Sequence, residues 1–266
     1  MTDANTDVVQ VDDHGAIRFI YLNRPQVRNA INLGSLLALR KAVREAEKAE
    51  HLRTVVIGGR GGAFSAGADV KEWAEMAAGR NPHPGYDWVD EAVQLVQEVA
   101  GLSKPTIAMI DGAAVGAGLD MALACDFRIA STRAKFICAY TWVGYPPDCG
   151  GSWLLPRLIG VEAAKLFVYT GDTWDAAKAK SVGMVTEVVA QDELEKTTMT
   201  WAERMSKTPT VATGLAKQLI DSAHRRTFAE QLSEERRAGK ICAKTADHAE
   251  GLAAANERRK PVFLGR

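Results

Sequence analysis

The sequence predicts an α/β fold: a repeated β-β-α core over residues 1–191, built around a mostly parallel sheet, followed by a helical lobe over residues 192–266. Three observations lead there. Short apolar runs alternate with helix-patterned segments up to about residue 190. Glycine-rich turns stand where strands hand over to helices. From Asp192 onward the pattern is almost entirely helical.

Taken in order, residues 7–22 hold two strand signals, VVQV and AIRFIYL, about a turn at Asp12–Gly15, and Arg24-Pro25 ends them. From Leu33 to about Glu50, apolar residues at helical spacing with alternating charges opposite predict a helix. TVVIG (54–58) is a short apolar strand that runs into the cluster GGRGG. A loop, AFSAGAD, and a helix from about Val70 follow. Residues 78–87 (AGRNPHPGYD), with two prolines and two glycines, predict a variable surface loop. A helix from about Trp88 to Leu102 precedes Lys104-Pro105. TIAMI (106–110) is the next strand, GAAVGAG (112–118) a turn, and Leu119–Ala124 opens another helix. FRIA and KFICA are again strands.

Composition narrows the function classes. The chain has 266 residues, 47% of them hydrophobic and 25% charged, which is ordinary for a globular protein. Lys+Arg and Asp+Glu both number 33, so the formal net charge is zero. That speaks against nucleic acid as the main partner, because phosphate binding usually leaves a basic excess. The four cysteines (Cys125, Cys138, Cys149, Cys242) form no CxxC pair and no metal-like spacing with histidine, so neither a disulfide scaffold nor a metal site is expected. The N-terminal MTDANTDVVQVDDHG lacks the basic and apolar regions of a signal peptide, and no apolar run approaches the roughly 20 residues of a membrane span. A cytoplasmic location is the default, with no membrane partner.

Two small-residue loops carry the chemistry. Each follows an apolar strand and precedes a helix: Phe64–Asp69 (FSAGAD) and Gly112–Gly118 (GAAVGAG). Small side chains let a ligand approach the backbone, and a helix start presents unpaired N–H groups. Two such loops side by side could aim two donors at one oxyanion, or they could simply be tight turns that pack together.

The surrounding residues resemble the crotonase (enoyl-CoA hydratase/isomerase) superfamily. Arg24-Pro25 with Asn29-Ala30, AFSAGADVKEW, KPTIAMIDGAAVGAGLDMALACDFRIAS with AKF, LPRLIG, YTGDTWDAAKAKSVGMVTEVV and the terminal RRKPVF match its elements in order, over nearly the whole chain. The resemblance implies a crotonase-like ββα spiral core with a C-terminal helical trimerisation lobe, and a homotrimer or dimer of trimers. It implies an acyl-CoA substrate, with no cofactor beyond the coenzyme A that the substrate carries. The backbone N–H groups of Ala68 and Ala117 become the oxyanion hole, although glycine is common in the family at the second position. Val27, Arg28, Ala30, Ala66, Asp69, Lys71 and Gly116 become substrate and CoA contacts.

The acid–base positions depart from the family's hydratases. Those enzymes carry glutamates where this chain has Asp120 and Tyr140, so the usual water-activating pair is absent. Tyrosine, with an ordinary pKa of about 10, is a poor base at neutral pH, but it can donate a hydrogen bond or pack as an apolar wall. Asp148 supplies another carboxylate. Dienoyl-CoA isomerases carry Asp, Glu and Asp at the positions of Asp120, Tyr140 and Asp148. In 4-chlorobenzoyl-CoA dehalogenases, FVCAW and a nucleophilic aspartate match Phe136–Tyr140 and Asp148, but their histidine is Val93 here and their glycine is Asp120.

The leading expectation is therefore an enolate-forming lyase or isomerase in which Asp120 and Asp148 share proton transfer and Tyr140 orients substrate or water. One alternative is a dehalogenase or hydrolase with Asp148 as nucleophile; another is a CoA-binding homologue without turnover. Asp120 could also serve only the helix dipole, and Asp148 only a turn. Cys138 and Cys149 are read as small hydrophobes flanking the pocket, and His51 and His83 as surface residues. Trp88, Trp142 and Tyr145 hint at a bulky or aromatic acyl pocket.

Overall fold

The computed structural model describes residues 8–81 and 83–266. Residues 1–7, part of the stretch read as lacking a signal peptide, and Pro82 of the proline-rich loop lie outside the described residues.

The main sheet grows from the predicted hairpin. Strands β1 (Val9–His14) and β2 (Ile17–Leu22) pair antiparallel. β2 then runs parallel to β3 (Thr54–Gly59), which leads to β4 (Thr106–Ile110), β6 (Phe127–Ser131) and β9 (Glu187–Val189), all parallel. Its order is β1-β2-β3-β4-β6-β9. Helices α1 (Leu33–Lys48) and α3 (Trp88–Gly101) cover one face. Each is capped from its own sequence: Asn32 accepts from Ser35 N–H, and Asp87 from the N–H groups of Val89 and Asp90.

Side chains of β2 alternate between two cores, as a strand buried on both faces requires. Ile20 and Leu22 join the α1/α3 side, whereas Ile17, Phe19 and Tyr21 join a second cluster with Val56, Ile107 and Ile129. That second cluster is closed by Leu194 and Ala202 of α8 (Leu194–Ser206). The all-helical stretch that starts at residue 192 thus contributes its first long helix to the core. Beyond it come α9 (Thr210–Ser222), α10 (Phe228–Cys242) and α11 (Ala246–Glu257). The C-terminal tail returns to the core: Arg53 donates to the Phe263 carbonyl at 2.8 Å, and buried Asp247 accepts from Leu264 N–H (2.6 Å) and Gly265 N–H (2.8 Å).

A second sheet, β5-β7-β8, was not legible in sequence. It joins β5 (Ala113–Val115), β7 (Lys135–Ile137) and β8 (Thr173–Asp175). Strands this short carry no periodicity of their own, so GAAVGAG reads as a plain turn although it contains β5. The predicted strand KFICA ends at Ile137, and Ala139–Val143 turn tightly instead. The helix expected from Leu119 starts at Ala117. The reason is Gly116, whose backbone (φ 50°, ψ −122°) turns the chain out of β5 and lets the Asp120 N–H reach the Gly116 carbonyl at 2.9 Å.

Between these sheets and the tail lie α2 (Val70–Ala77), α4 (Ala117–Ala124), α5 (Gly151–Ile159), α6 (Val161–Thr170) and α7 (Ala176–Ser181). Among the described residues, no helix is long and apolar enough to cross a membrane.

Candidate active site

The two small-residue loops lie side by side, held by their backbones. Ser65 N–H donates to the Ala113 carbonyl (2.9 Å) and Val115 N–H to the Ser65 carbonyl (3.0 Å), which stitches the first loop to β5. The fit depends on missing side chains. A Cβ on Gly67 would sit 2.7 Å from the Val115 carbonyl oxygen, and one on Gly118 would sit 2.5 Å from Ser65 Cβ.

A buried asparagine sets the approach. Asn29, held at φ 57°, donates to the carbonyls of Arg60 (2.8 Å) and Ala63 (2.7 Å) and accepts from Arg24 N–H (2.8 Å). Its own carbonyl accepts from Ser65 Oγ at 2.8 Å, and Ser65 Oγ in turn accepts from Gly67 N–H at 3.1 Å.

In this frame Ala68 and Ala117 each keep a free donor. Ile31 N–H donates to the Gly67 carbonyl and Asp69 N–H to the Ile31 carbonyl, so the Ala68 N–H faces the other edge. Among the described residues, neither the Ala68 nor the Ala117 N–H has a protein acceptor. Ala117 is also the first residue of α4, where the unpaired N–H groups and the positive end of the helix dipole lie. Among the described residues, apart from its chain neighbours, nothing lies within 4 Å of the position a Cβ on Gly116 would take.

Asp120, in the first turn of α4, is fully buried. The Tyr140 hydroxyl and the Gly151 N–H face its carboxyl group, but neither closes a well-formed bond: both Asp120 oxygens and Tyr140 Oη are buried without a partner. A Cβ on Gly151 would lie 2.5 Å from Asp120 Oδ1 and 3.1 Å from Tyr140 Oη. Burial pushes the Asp120 carboxyl up to about 7. Tyr140 and the Gly151 N–H pull it partly back, while the negative charge of Asp148 raises it further.

Asp148 is half-buried, and one of its oxygens lies with an Asp120 oxygen and Cys149 Sγ in a group whose members are all within 4.8 Å of one another. The structure thus brings together the three residues singled out for acid–base work. Asp120, Asp148 and Cys149 also have the spacing of a metal-ligand set. Burial, however, holds the Cys149 thiol well above its ordinary range, and the carboxyl beside it retains its proton near neutrality. A cation would have to displace those protons to bind here.

The remaining expected residues distribute unevenly. Val27 and Arg28 are exposed, and the Arg28 carbonyl accepts from Ala66 N–H at 2.9 Å, which ties this segment to the first loop. Ala30 and Asp69 are both engaged by Arg24, whose Nη1 donates to the Ala30 carbonyl (2.7 Å) and to the Asp69 carboxylate (2.9 Å). Asp69 therefore sits as an internal brace. Lys71 is exposed on α2. Trp142 is 61% exposed and lies against Gly171 at the end of α6. Val93 is half-buried on α3, His51 is exposed and His83 half-buried.

Sequence reasoning missed Gly151 and Trp73. The glycine doublet after Cys149 was the available signal for the first. A cleft of about 930 Å³ lies elsewhere, between the end of α1 and the start of α9, lined in part by Glu47, Lys104 and Thr210. Of its charged groups, Lys104 Nζ donates to the carbonyls that end α1, including Ala49 at 2.6 Å, and Glu47 accepts from Ser103.

Known proteins resemble the chain over nearly its whole length. The enoyl-CoA hydratase/isomerase family model matches residues 12–266. The chain is 35% identical over 245 residues to the 1,2-epoxyphenylacetyl-CoA isomerase of Escherichia coli (strain K12), covering 92% of this chain and 94% of that protein. It is 32% identical over 248 residues to the crotonyl-CoA hydratase of Syntrophomonas wolfei, covering 93% and 94%. The crystal structure of an enoyl-CoA hydratase from Bacillus anthracis superposes with a TM-score of 0.90 at 33% identity, covering 98% of this chain and all of that one.

Proposed function

Because the chain belongs to the enoyl-CoA hydratase/isomerase (crotonase) superfamily and is an acyl-CoA enzyme of that family, we propose that it shifts the double bond of an enoyl-CoA through a thioester enolate. The carrying observation is the pair of neighbouring carboxyl groups, Asp120 and Asp148, of which the buried one holds its proton up to about pH 7.

In this reading the thioester oxygen accepts the N–H groups of Ala68 and Ala117, which stabilise the charge that develops as the acidic C–H bond breaks. The half-buried Asp148 takes that proton, and the electron pair moves into the enolate. Asp120 delivers its proton at the far end of the conjugated system, and Tyr140 orients the reacting carbons. Exchange with solvent then returns a proton to Asp120 and removes one from Asp148, so no atom is gained or lost overall. Val27, Arg28, Ala30, Ala66, Lys71 and Gly116 lie where the CoA part would pass, with Asp69 holding Ala30 in place through Arg24. A trimer or dimer of trimers built on the residue 192–266 lobe fits the exposed Ile220 (74%) and Phe228 (79%) on its helices.

The test is a panel of enoyl-CoA esters incubated in D2O and read by mass spectrometry. Deuterium uptake with no other mass change supports isomerisation. Gain of water would make the protein a hydratase. A covalent adduct on the Asp148 peptide would make it an enzyme with a nucleophilic aspartate, and CoA binding without any turnover would make it a silent homologue.

A further inference from the structure

Two aromatic rings meet between the segments that carry Ala68 and Asp148. Trp73 stands on α2, just beyond Ala68, with its N–H on the Asp69 carbonyl. Tyr145 stands between Tyr140 and Asp148, with its N–H on the Tyr140 carbonyl at 3.0 Å. Their ring centroids are 5.5 Å apart at an interplanar angle of 84°, an edge-to-face pair. Trp73 leans on Trp88 at 6.3 Å, and buried Trp88 donates from its indole N–H to the carbonyl of Ile31, the residue bridged to Ala68. Trp88 is thus the anchor, and Trp73 and Tyr145 extend outward from the two segments that carry Ala68 and Asp148.

The outer ring is incompletely covered. Tyr145 is 40% exposed, on a turn whose neighbours from Thr141 to Pro146 are all exposed, and Trp73 is only half-buried. An aromatic wall of this kind next to a polar reactive centre is the usual make-up of a small-molecule pocket: apolar rings for area, a few polar groups for orientation. Its geometry also favours one class of acyl group. Edge-to-face pairs extend naturally to a third ring, because ring faces are electron-rich and ring edges electron-poor. A flexible straight chain gains only buried area there and loses rotamer freedom when held.

We infer that Trp73 and Tyr145 form the wall against which the acyl group packs, and that they select acyl groups bearing a planar unsaturated ring over saturated or straight-chain ones. This rests on the reading of the site as a thioester site and adds the substrate class to it.

Calorimetric binding of three unreactive esters tests the inference without relying on turnover: 3-phenylpropanoyl-CoA, 3-cyclohexylpropanoyl-CoA and hexanoyl-CoA. The two ring esters share a skeleton and differ in their π-system. The native protein is expected to bind the phenyl ester about threefold to tenfold more tightly than the cyclohexyl ester, and more tightly than hexanoyl-CoA. Trp73→Leu and Tyr145→Leu bring the ring ratio close to one, whereas Tyr145→Phe, which keeps the ring, preserves it. Because Tyr145 lies at the surface, its leucine variant carries the test if Trp73→Leu fails to fold. Equal affinity for the two ring esters, equal affinity for hexanoyl-CoA, or an unchanged ratio in the leucine variants overturns the inference while leaving enolate chemistry standing. A protein that binds none of the three esters overturns both.

Discussion

A carboxylate oxygen of Asp120 and one of Asp148 lie within 4.8 Å of each other, with the Cys149 sulfur inside the same span. The two arrive from different parts of the fold: Asp120 from the first turn of α4, Asp148 from the segment leading into α5. At this separation the Asp148 charge opposes ionisation of Asp120. Burial of Asp120 is the larger cause and raises its carboxyl to about 7.

Replacing either carboxyl group should disable proton transfer. Asp120→Asn and Asp148→Asn are each expected to slow α-deuterium exchange into the thioester by on the order of 10²-fold or more. Near-native exchange in both variants would remove the acid–base assignment.

Asp120 should also make stability depend on pH, with a definite sign. Its folded carboxyl lies near 7 against an ordinary 3.8. Between those values the unfolded chain has released a proton that the folded protein keeps. Stability therefore falls as pH rises from about 4 to about 7 and levels off above. Holding one extra proton in the folded state changes stability by about 1.4 kcal/mol for every pH unit crossed, so the loss over this interval is on the order of a few kcal/mol. Asp120→Asn removes this contribution, so its Tm should exceed the native value at pH 8 by several degrees and approach it near pH 4. Parallel melting curves at both pH values would refute the buried, proton-holding Asp120.

The pH profile of turnover carries a related signature. If Asp120 delivers a proton, kcat/KM declines above about pH 7. The Tyr140 hydroxyl helps to stabilise the ionised carboxyl, so Tyr140→Phe should move that decline to higher pH. A displacement to lower pH, or none, would show that the tyrosine is only a wall.

Gly151 tests the room left for the carboxyl group. In Gly151→Ala the new methyl begins 2.5 Å from Asp120 Oδ1, which forces α5 or Asp120 to move. The expected cost is about 1–3 kcal/mol of stability, with at least tenfold slower exchange on the scale of a misplaced acid–base group. Unaltered exchange would mean that Asp120 can move without consequence.

Gly118→Ala probes the seam between the two loops. A methyl 2.5 Å from Ser65 Cβ parts Ala68 from Ala117. Loss of a donor geometry of this type costs on the order of 10²-fold in kcat, with a smaller effect on KM. A change confined to KM would argue that the loops serve binding alone.

Much of this was readable along the chain. Strand runs such as TVVIG and TIAMI, the capped helices α1 and α3, and the small-residue loops each announce themselves within a few residues. Asp120 could be marked because the family resemblance puts it three residues after Ala117, where the family's hydratases carry a glutamate. Asp148, Tyr140 and the aromatic positions could be named, but not arranged. For Trp142, nothing local says which way a ring on a tight turn will face.

By itself, then, the amino-acid sequence determined the alternation of strands and helices, the glycines that admit close backbone approach, and the residue types available for chemistry. Each is a property of a short segment, set by side-chain size, backbone freedom and periodicity. Only the tertiary structure decided that α8 closes the second core, that β5, β7 and β8 form a sheet, and that Gly151 makes room for Asp120. It alone set the protonation of that carboxyl group, because a pKa is raised by the surroundings that packing assembles from distant parts of the chain.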